Sequence, residues 1–369
     1  MSDNNYQIYF DCGFSKLRAG AFNKLNSSKA FYTESKFIFD HTEMDSEIQK
    51  IITFLEKNTN EYIDDINLMI DSSKMLSIGI SISKNIDESK LREEDIQFLV
   101  QEAKQQILKH YNNQNITHII INNYKINNVD YDYLPRQIKC NFISLDILFI
   151  CLPEEIIEYF RNFFYKFDVS INQTICSSYA KTINYKDNFS SHKNISFIDI
   201  GFDKTSITTY IDNKITSLNV LPVGGNHITK DISKVLKIDM EQAENLKINF
   251  DKNEAFFDEK NFSLELLQKI VFDRTDEILE LSAQSIKLNL IRIEHHKMIL
   301  TGDGSKILDN QYMGKISFVN DMDFLEENTE DICMSGFKLG TGSNKQEVVV
   351  VPRKLIKQGF FEKLFHLFK

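Results

Sequence analysis

The sequence contains two copies of one strand–turn–strand pattern, and this repeat limits the possible folds more than any other feature. Residues 6–24 read YQIYFDCGFSKLRAGAFNK, and residues 194–214 read NISFIDIGFDKTSITTYIDNK. Asp11 matches Asp199, Gly13 matches Gly201 and Phe14 matches Phe202, each pair 188 residues apart. In both copies an alternating apolar run reaches an aspartate, breaks at a glycine and resumes, which reads as a β-hairpin. The second copy is expected to carry one extra residue in its turn. Two such units so far apart imply a duplicated core. A chain of 369 residues is also longer than one hydrophobic core usually supports.

The stretches between the hairpins read as mixed α/β. Helical spacing covers 46–57 (Ile48, Ile51, Ile52, Leu55), and a strand follows at 66–70. Residues 78–165 read as an inserted α+β unit. It has a short strand near Gly79–Ser83, a polar stretch, and a helix with Ser89 or an acidic residue near its start. Strands follow at Ile116–Asn122 and Phe142–Leu152, then a helix over 153–166. After the second hairpin come LPVGGNHITKDI (221–232), a helix at 239–249 and a polar stretch at 250–262. A long helix carries Leu264 to Leu290 and is expected to break near Asp273. A strand at 297–300 then enters the turn TGDGSK, residues 301–306.

Composition excludes several function classes. A net charge of −10 argues against a general nucleic-acid binder, which needs a basic face for phosphates. Cys12, Cys140, Cys151, Cys176 and Cys333 are scattered without metal-ligand spacing, so buried, reduced thiols are expected. The opening MSDNNYQIYF lacks the basic and apolar regions of a secretory signal, and no apolar run approaches a membrane span.

Three glycine turns now stand in a recognisable order. Asp11-Cys-Gly-Phe-Ser-Lys16 resembles the first phosphate loop of the actin–Hsp70–sugar kinase superfamily, and Asp199-Ile-Gly-Phe-Asp-Lys-Thr205 resembles its second. Leu300-Thr-Gly-Asp-Gly-Ser305 resembles its adenosine loop. In such turns glycine lets a phosphate approach consecutive backbone N–H groups. Leu221–Ile232, Glu241–Lys247 and Cys176-Ser-Ser-Tyr-Ala180 narrow the resemblance to FtsA, the actin-like bacterial cell-division family.

The resemblance implies two duplicated ribonuclease H-like lobes around a nucleotide cleft. The first core takes residues 1–77 and 166–193, with a returning segment near 335–350. The FtsA-type subdomain takes 78–165. The second core takes 194–230 and 295–334, and its small subdomain 231–294. ATP with Mg²⁺ is the implied cofactor. It would meet Gly13, Phe14, Ser15, Lys16, Gly201, Phe202, Lys204, Thr205, Gly224, Gly225, Glu244, Lys247, Gly302, Asp303 and Gly304. Asp11 and Asp199 would hold the metal through water, as suits a strongly hydrated cation. Phe202 and Asp203 replace two glycines usual in the second loop, and Asp303 one in the adenosine loop. These departures imply weak hydrolysis at most, and no catalytic residue is identified.

The family resemblance further implies a tether between FtsZ filaments and the cytoplasmic face of the inner membrane at the division site, self-assembly into filaments, and contacts with other division proteins. The FtsZ tail would dock at Arg274, with Lys269 as a second candidate. Residues 351–369 read as a basic linker and an amphipathic helix. Phe360, Phe361, Leu364, Phe365, Leu367 and Phe368 fall within one arc of about 160°. Large apolar rings, flanking lysines and short length suit a helix lying in an anionic membrane surface. An actin-like scaffold of a pilus or secretion assembly is the alternative, and an ATP-dependent kinase of the same superfamily a more distant one.

Overall fold

The computed structural model describes residues 4–26, 28–36, 44–135, 138–249, 263–288, 296–307 and 321–342. The first hairpin pairs β1 (Tyr6–Cys12) with β2 (Lys16–Asn23), and β3 (Ala30–Lys36) extends it. Helix α1 (Met44–Thr59) buries Ile48, Ile51, Ile52 and Leu55 and carries the chain to β4 (Asp65–Ile70). β4 runs parallel to β1, and β9 (Ser170–Cys176) parallel to β4, so the strand order is β3-β2-β1-β4-β9.

The second sheet repeats this plan. It holds β10 (Ile195–Ile200), β11 (Thr205–Ile211), β12 (Lys214–Leu221), β13 (Lys297–Thr301) and β14 (Asp321–Phe324) in the order β12-β11-β10-β13-β14. Three antiparallel strands again receive two parallel ones beside the first. The repeat seen in two hairpins is therefore a repeat of whole five-stranded sheets. The two glycine turns have the same length, Cys12 pairing with Leu17 and Ile200 with Thr205. The extra residue expected in the second turn lies further on. There the register slips between Thr209 and Tyr210, and Asp212 and Asn213 reverse the chain at φ of 49° and 64°. Paired positive φ values suit a tight hairpin.

The insertion between β4 and β9 builds a third sheet. It comprises β5 (Leu76–Lys90), β6 (Gln114–Ile126), β7 (Val129–Tyr131) and β8 (Lys139–Pro153), ordered β5-β8-β6-β7. Helix α2 (Glu93–His110) buries Leu99, Val100, Ala103 and Ile107 in this subdomain's own core. The polar stretch expected after Ser83 continues β5, because an edge strand needs only one neighbour and β8 pairs with it as far as Lys90. The helix accordingly starts at Glu93, the acidic alternative to Ser89. Helix α3 (Glu154–Tyr165) closes the insertion and places Ile157, Phe160, Phe163 and Phe164 in the core of the first lobe.

That core runs without a break into the second lobe, joining Phe10, Leu17 and Phe22 to Phe197, Tyr210 and Leu218. Two helices bind the junction, α4 (Ser177–Lys186) after β9 and α8 (Thr329–Gly340) after β14. Helix α8 leaves the second sheet and packs on β1, β2, β3 and α4. Phe337 stacks on Phe22 with ring centroids 4.5 Å apart. Gly340 permits this seat, since a Cβ there would stand 2.3 Å from the Tyr9 hydroxyl.

The second lobe carries α5 (Gly225–Leu236), α6 (Met240–Ile248) and α7 (Leu264–Lys287). Helix α7 is continuous, contrary to the break expected near Asp273. That side chain is exposed, and an outward-facing aspartate does not interrupt a helix held by its buried face. Its first half buries Leu267 and Val271 with α5 and α6, and its second half buries Ile278, Leu279 and Ile286 under the second sheet. The five cysteines are free and buried, as expected. No helix among the described residues is long and apolar enough to cross a membrane. The amphipathic helix with Phe360, Phe361, Leu364, Phe365, Leu367 and Phe368 lies outside the described residues, as do 343–350 and 250–262.

Candidate functional site

The two glycine hairpins face each other across a cleft because each ends the central strand of its sheet. Both turns close with the same backbone bond. The Gly13 N–H donates to the Lys16 carbonyl at 3.0 Å, and the Gly201 N–H to the Lys204 carbonyl at 2.9 Å. The second hairpin is sewn to the start of α5, whose Gly225 and Asn226 N–H groups donate to the carbonyls of Gly201 and Phe202 at 2.9 and 2.7 Å. Only glycine fits at 224, where a Cβ would stand 2.6 Å from the Gly201 oxygen. Gly224 therefore supports the cleft wall. Thr205 does not reach the cleft either: it is fully buried, and its hydroxyl donates to the Val223 carbonyl at 2.8 Å.

A cavity of about 400 Å³ opens between the lobes, lined by Ser15, Lys16, Gly201, Phe202, Gly225, Glu244, Lys247, Asp303 and Gly304. One end is a buried polar cluster. Lys247 Nζ donates to Glu244 at 2.6 Å and to the Thr229 hydroxyl at 2.8 Å. Burial pulls the Lys247 ammonium below its ordinary value, and Glu244 partly offsets this. The one-turn spacing of Glu244 and Lys247 on α6 puts both on the cavity wall. With bare backbone at Gly225 and Gly304, this end has room and polar groups for a nucleoside.

The other end is a cavity of about 90 Å³, reached by Asp11, Gly13, Phe14, Asp199, Lys204, Gly302 and Asp303. It is crowded with charge. Asp11 accepts from Arg18 at 3.1 Å and from the Ser177 hydroxyl. Asp199 accepts from Lys181, which also reaches Glu327 at 3.1 Å. Burial opposes charge on Lys181, but Asp199 and Glu327 hold its ammonium well above the usual range. Burial raises the Glu327 carboxyl, and Tyr185 donates to it at 2.9 Å. Lys204 lies over the Phe14 ring at 5.0 Å from its centroid, joining the two turns.

Asp303 crosses the cleft. Its carboxylate accepts from Lys16, from Arg18 at 3.3 Å and from Lys306 at 2.9 Å. Burial opposes ionisation here, yet Lys16 and Lys306 hold the carboxyl far below the usual carboxylate range.

Asp11 and Asp199 have the hard oxygen chemistry a magnesium ion takes, and they flank one cavity. Each already carries an internal cation, so a metal would share these carboxylates with Arg18 and Lys181. Arg18, Lys181 and Glu327 are the site residues that the motifs missed. Arg18 had a sequence signal, since it stands directly across the hairpin from Asp11. Arg274 and Lys269 lie on α7, away from the cleft. Arg274 donates to Asp231 at 2.6 Å and to Glu277, whereas Lys269 is exposed.

Residues 196–306, which include the second hairpin, the nucleoside end and the adenosine loop, match the family profile "Cell division protein FtsA". This match and the relatives that follow support a divergent FtsA. It is 25% identical over 320 residues to the cell division protein FtsA of Buchnera aphidicola from Acyrthosiphon pisum, covering 76% of this chain and 74% of that one. Against FtsA of Bacillus subtilis it is 30% identical over 125 residues, covering 29% and 28%. Among solved structures, the PilM-PilN type IV pilus biogenesis complex superposes with a TM-score of 0.64 at 11% identity, covering 88% of this chain and 89% of that one. The duplicated sheets thus have the actin-like fold.

Proposed function

We propose that this chain is a cell-division adaptor that binds a nucleotide between its lobes, polymerises, and tethers FtsZ filaments to the cytoplasmic face of the inner membrane. One observation carries the reading: both hairpin turns and the adenosine loop converge on a single cleft, with Glu244 and Lys247 buried at its nucleoside end. ATP would supply an anionic tail that bridges the lobes. Lys16 and Lys204 would meet it on leaving Asp303 and the Phe14 ring, and the Gly13 and Gly201 turns let it come close. Asp11 and Asp199 would hold Mg²⁺ through water, loosening their hold on Arg18 and Lys181. The basic linker and the tail helix at 351–369 would meet the lipid surface, where each basic residue is worth about 1 kcal/mol. Arg274 and Lys269 would receive the acidic FtsZ tail.

The reading is of an adaptor with weak ATPase activity at most, because Phe202, Asp203 and Asp303 crowd the phosphate end with an aromatic ring and two acids. Negative-stain microscopy on lipid monolayers, with and without ATP, tests attachment, assembly and nucleotide dependence together. Ordered filaments on anionic lipid are expected. Protein that neither assembles nor attaches in either condition would remove the adaptor reading. The second reading, an actin-like scaffold of a pilus or secretion assembly, draws support from the likeness to the PilM-PilN complex.

A further inference from the structure

We propose that the Asp303 carboxylate is an internal anion that occupies the phosphate subsite and competes with the incoming nucleotide for Lys16 and Arg18. The inference rests on the nucleotide reading of the cleft and concerns how the free protein is held before ligand arrives.

The geometry is that of an anion in a receiving site. Lys16 belongs to the first hairpin turn, and its ammonium offers a negative group a positive partner at the mouth of that turn. In the structure that negative group is Asp303, 287 residues away on the opposite lobe. Arg18, the next residue on that strand face, turns one nitrogen to Asp11 and another to Asp303. Lys306, one turn beyond Asp303, fixes the same carboxylate from its own lobe at 2.9 Å. Three cations on one carboxylate exceed what a lone surface pair would gather, and Lys16 and Arg18 are only 18% and 14% exposed. A second contact repeats the arrangement, because Lys204 of the other turn is engaged by the Phe14 ring.

A nucleotide phosphate entering this subsite finds its cations already neutralised and must displace Asp303 toward water. Two consequences follow: affinity is lower than the cations alone would give, and the lobes stay joined in the absence of ligand. The sign of the effect separates competition from recognition. A carboxylate that read a sugar hydroxyl would strengthen binding, so its loss would weaken the complex.

The test is ATP titration by calorimetry on the full chain and on Asp303→Asn, with hydrogen exchange of the Gly13–Lys16 amides in both nucleotide-free proteins. Asp303→Asn is expected to bind ATP at least tenfold more tightly and to exchange faster at that turn. Equal or weaker binding by the variant, with the parent binding ATP, overturns the competition and leaves the nucleotide reading standing. Unchanged exchange at the turn likewise overturns it. If neither protein binds ATP, the nucleotide reading falls and the competition with it.

Discussion

The Asp11 carboxylate has partners 7 and 166 residues away, Arg18 on the paired strand and Ser177 at the start of α4. Asp303 at the cleft is held in the same way, by Lys306 nearby and Lys16 at a distance. The same pattern bears on Arg274, whose local partner is Glu277 and whose remote one is Asp231 on α5. A guanidinium fixed between two carboxylates has a set direction, and an acidic peptide would have to take it over from them. Lys269 stands five residues earlier on the same helix, without an ion pair among the described residues. Replacing Arg274 with Glu reverses one charge and exposes three acids to each other, so an acidic FtsZ tail peptide should bind about tenfold more weakly. Fluorescence anisotropy with the labelled peptide measures this, and Arg274→Met with an unaltered melting point controls for damage to α7. Equal affinity in both variants would move the docking site elsewhere.

At the level of elements, the seating of β13 on β10 depends on a polar contact inside an apolar layer. His296, just before β13, meets the Ser196 hydroxyl at 2.9 Å, and Ser196 in turn meets Thr209 on β11 at 2.9 Å. The second ring nitrogen of His296 is buried and has no hydrogen-bond partner among the described residues. Burial pushes the imidazole down from 6.5 to about 4, so the folded state holds it neutral. Between these two values the unfolded chain binds the extra proton and the folded chain does not, so stability must fall as pH drops through this window. The contribution is present in full above pH 6.5. His296→Gln should flatten the fall in unfolding free energy between pH 6.5 and about 4 by roughly 2 kcal/mol, taking about 1.4 kcal/mol per pH unit discounted for partial exposure, read from urea melts at several pH values. An identical pH profile in the variant would assign the acid sensitivity to other groups. Elements of this kind explain what the sequence revealed. Both hairpins could be read because alternation, an aspartate and a glycine turn are local signals. The end of β5 could not, since residues 83–86 are mostly polar with Ile86 alone buried, and the strand is set by its edge pairing with β8. Nor could the role of Asp303, since a contact spanning 287 residues leaves no trace in local pattern. Lys181 was hidden for the same reason, whereas Arg18 could have been found from the register of the first hairpin.

For the whole molecule, the question is how a protein with a net charge of −10 would hold an anionic surface. The body is repelled, and attraction must come from the basic residues Arg353, Lys354, Lys357, Lys363 and Lys369 and from the apolar arc between Phe360 and Phe368. One short helix gives only marginal, reversible attachment. Assembly would change the arithmetic, because neighbouring copies in a filament would present several tails to one surface and gain avidity with no new contact. The adaptor reading needs such stacking. A chain lacking residues 359–369 should therefore lose at least tenfold in co-sedimentation with anionic vesicles, and the full chain should bind more steeply with protein concentration than a single site allows. Vesicles of neutral lipid should retain less of the full chain, since the linker charges then find no partner. A scaffold of a pilus or secretion assembly would show no dependence on the tail. If deletion of 359–369 leaves lipid binding unchanged, the tail has another task, and the second reading gains over the first.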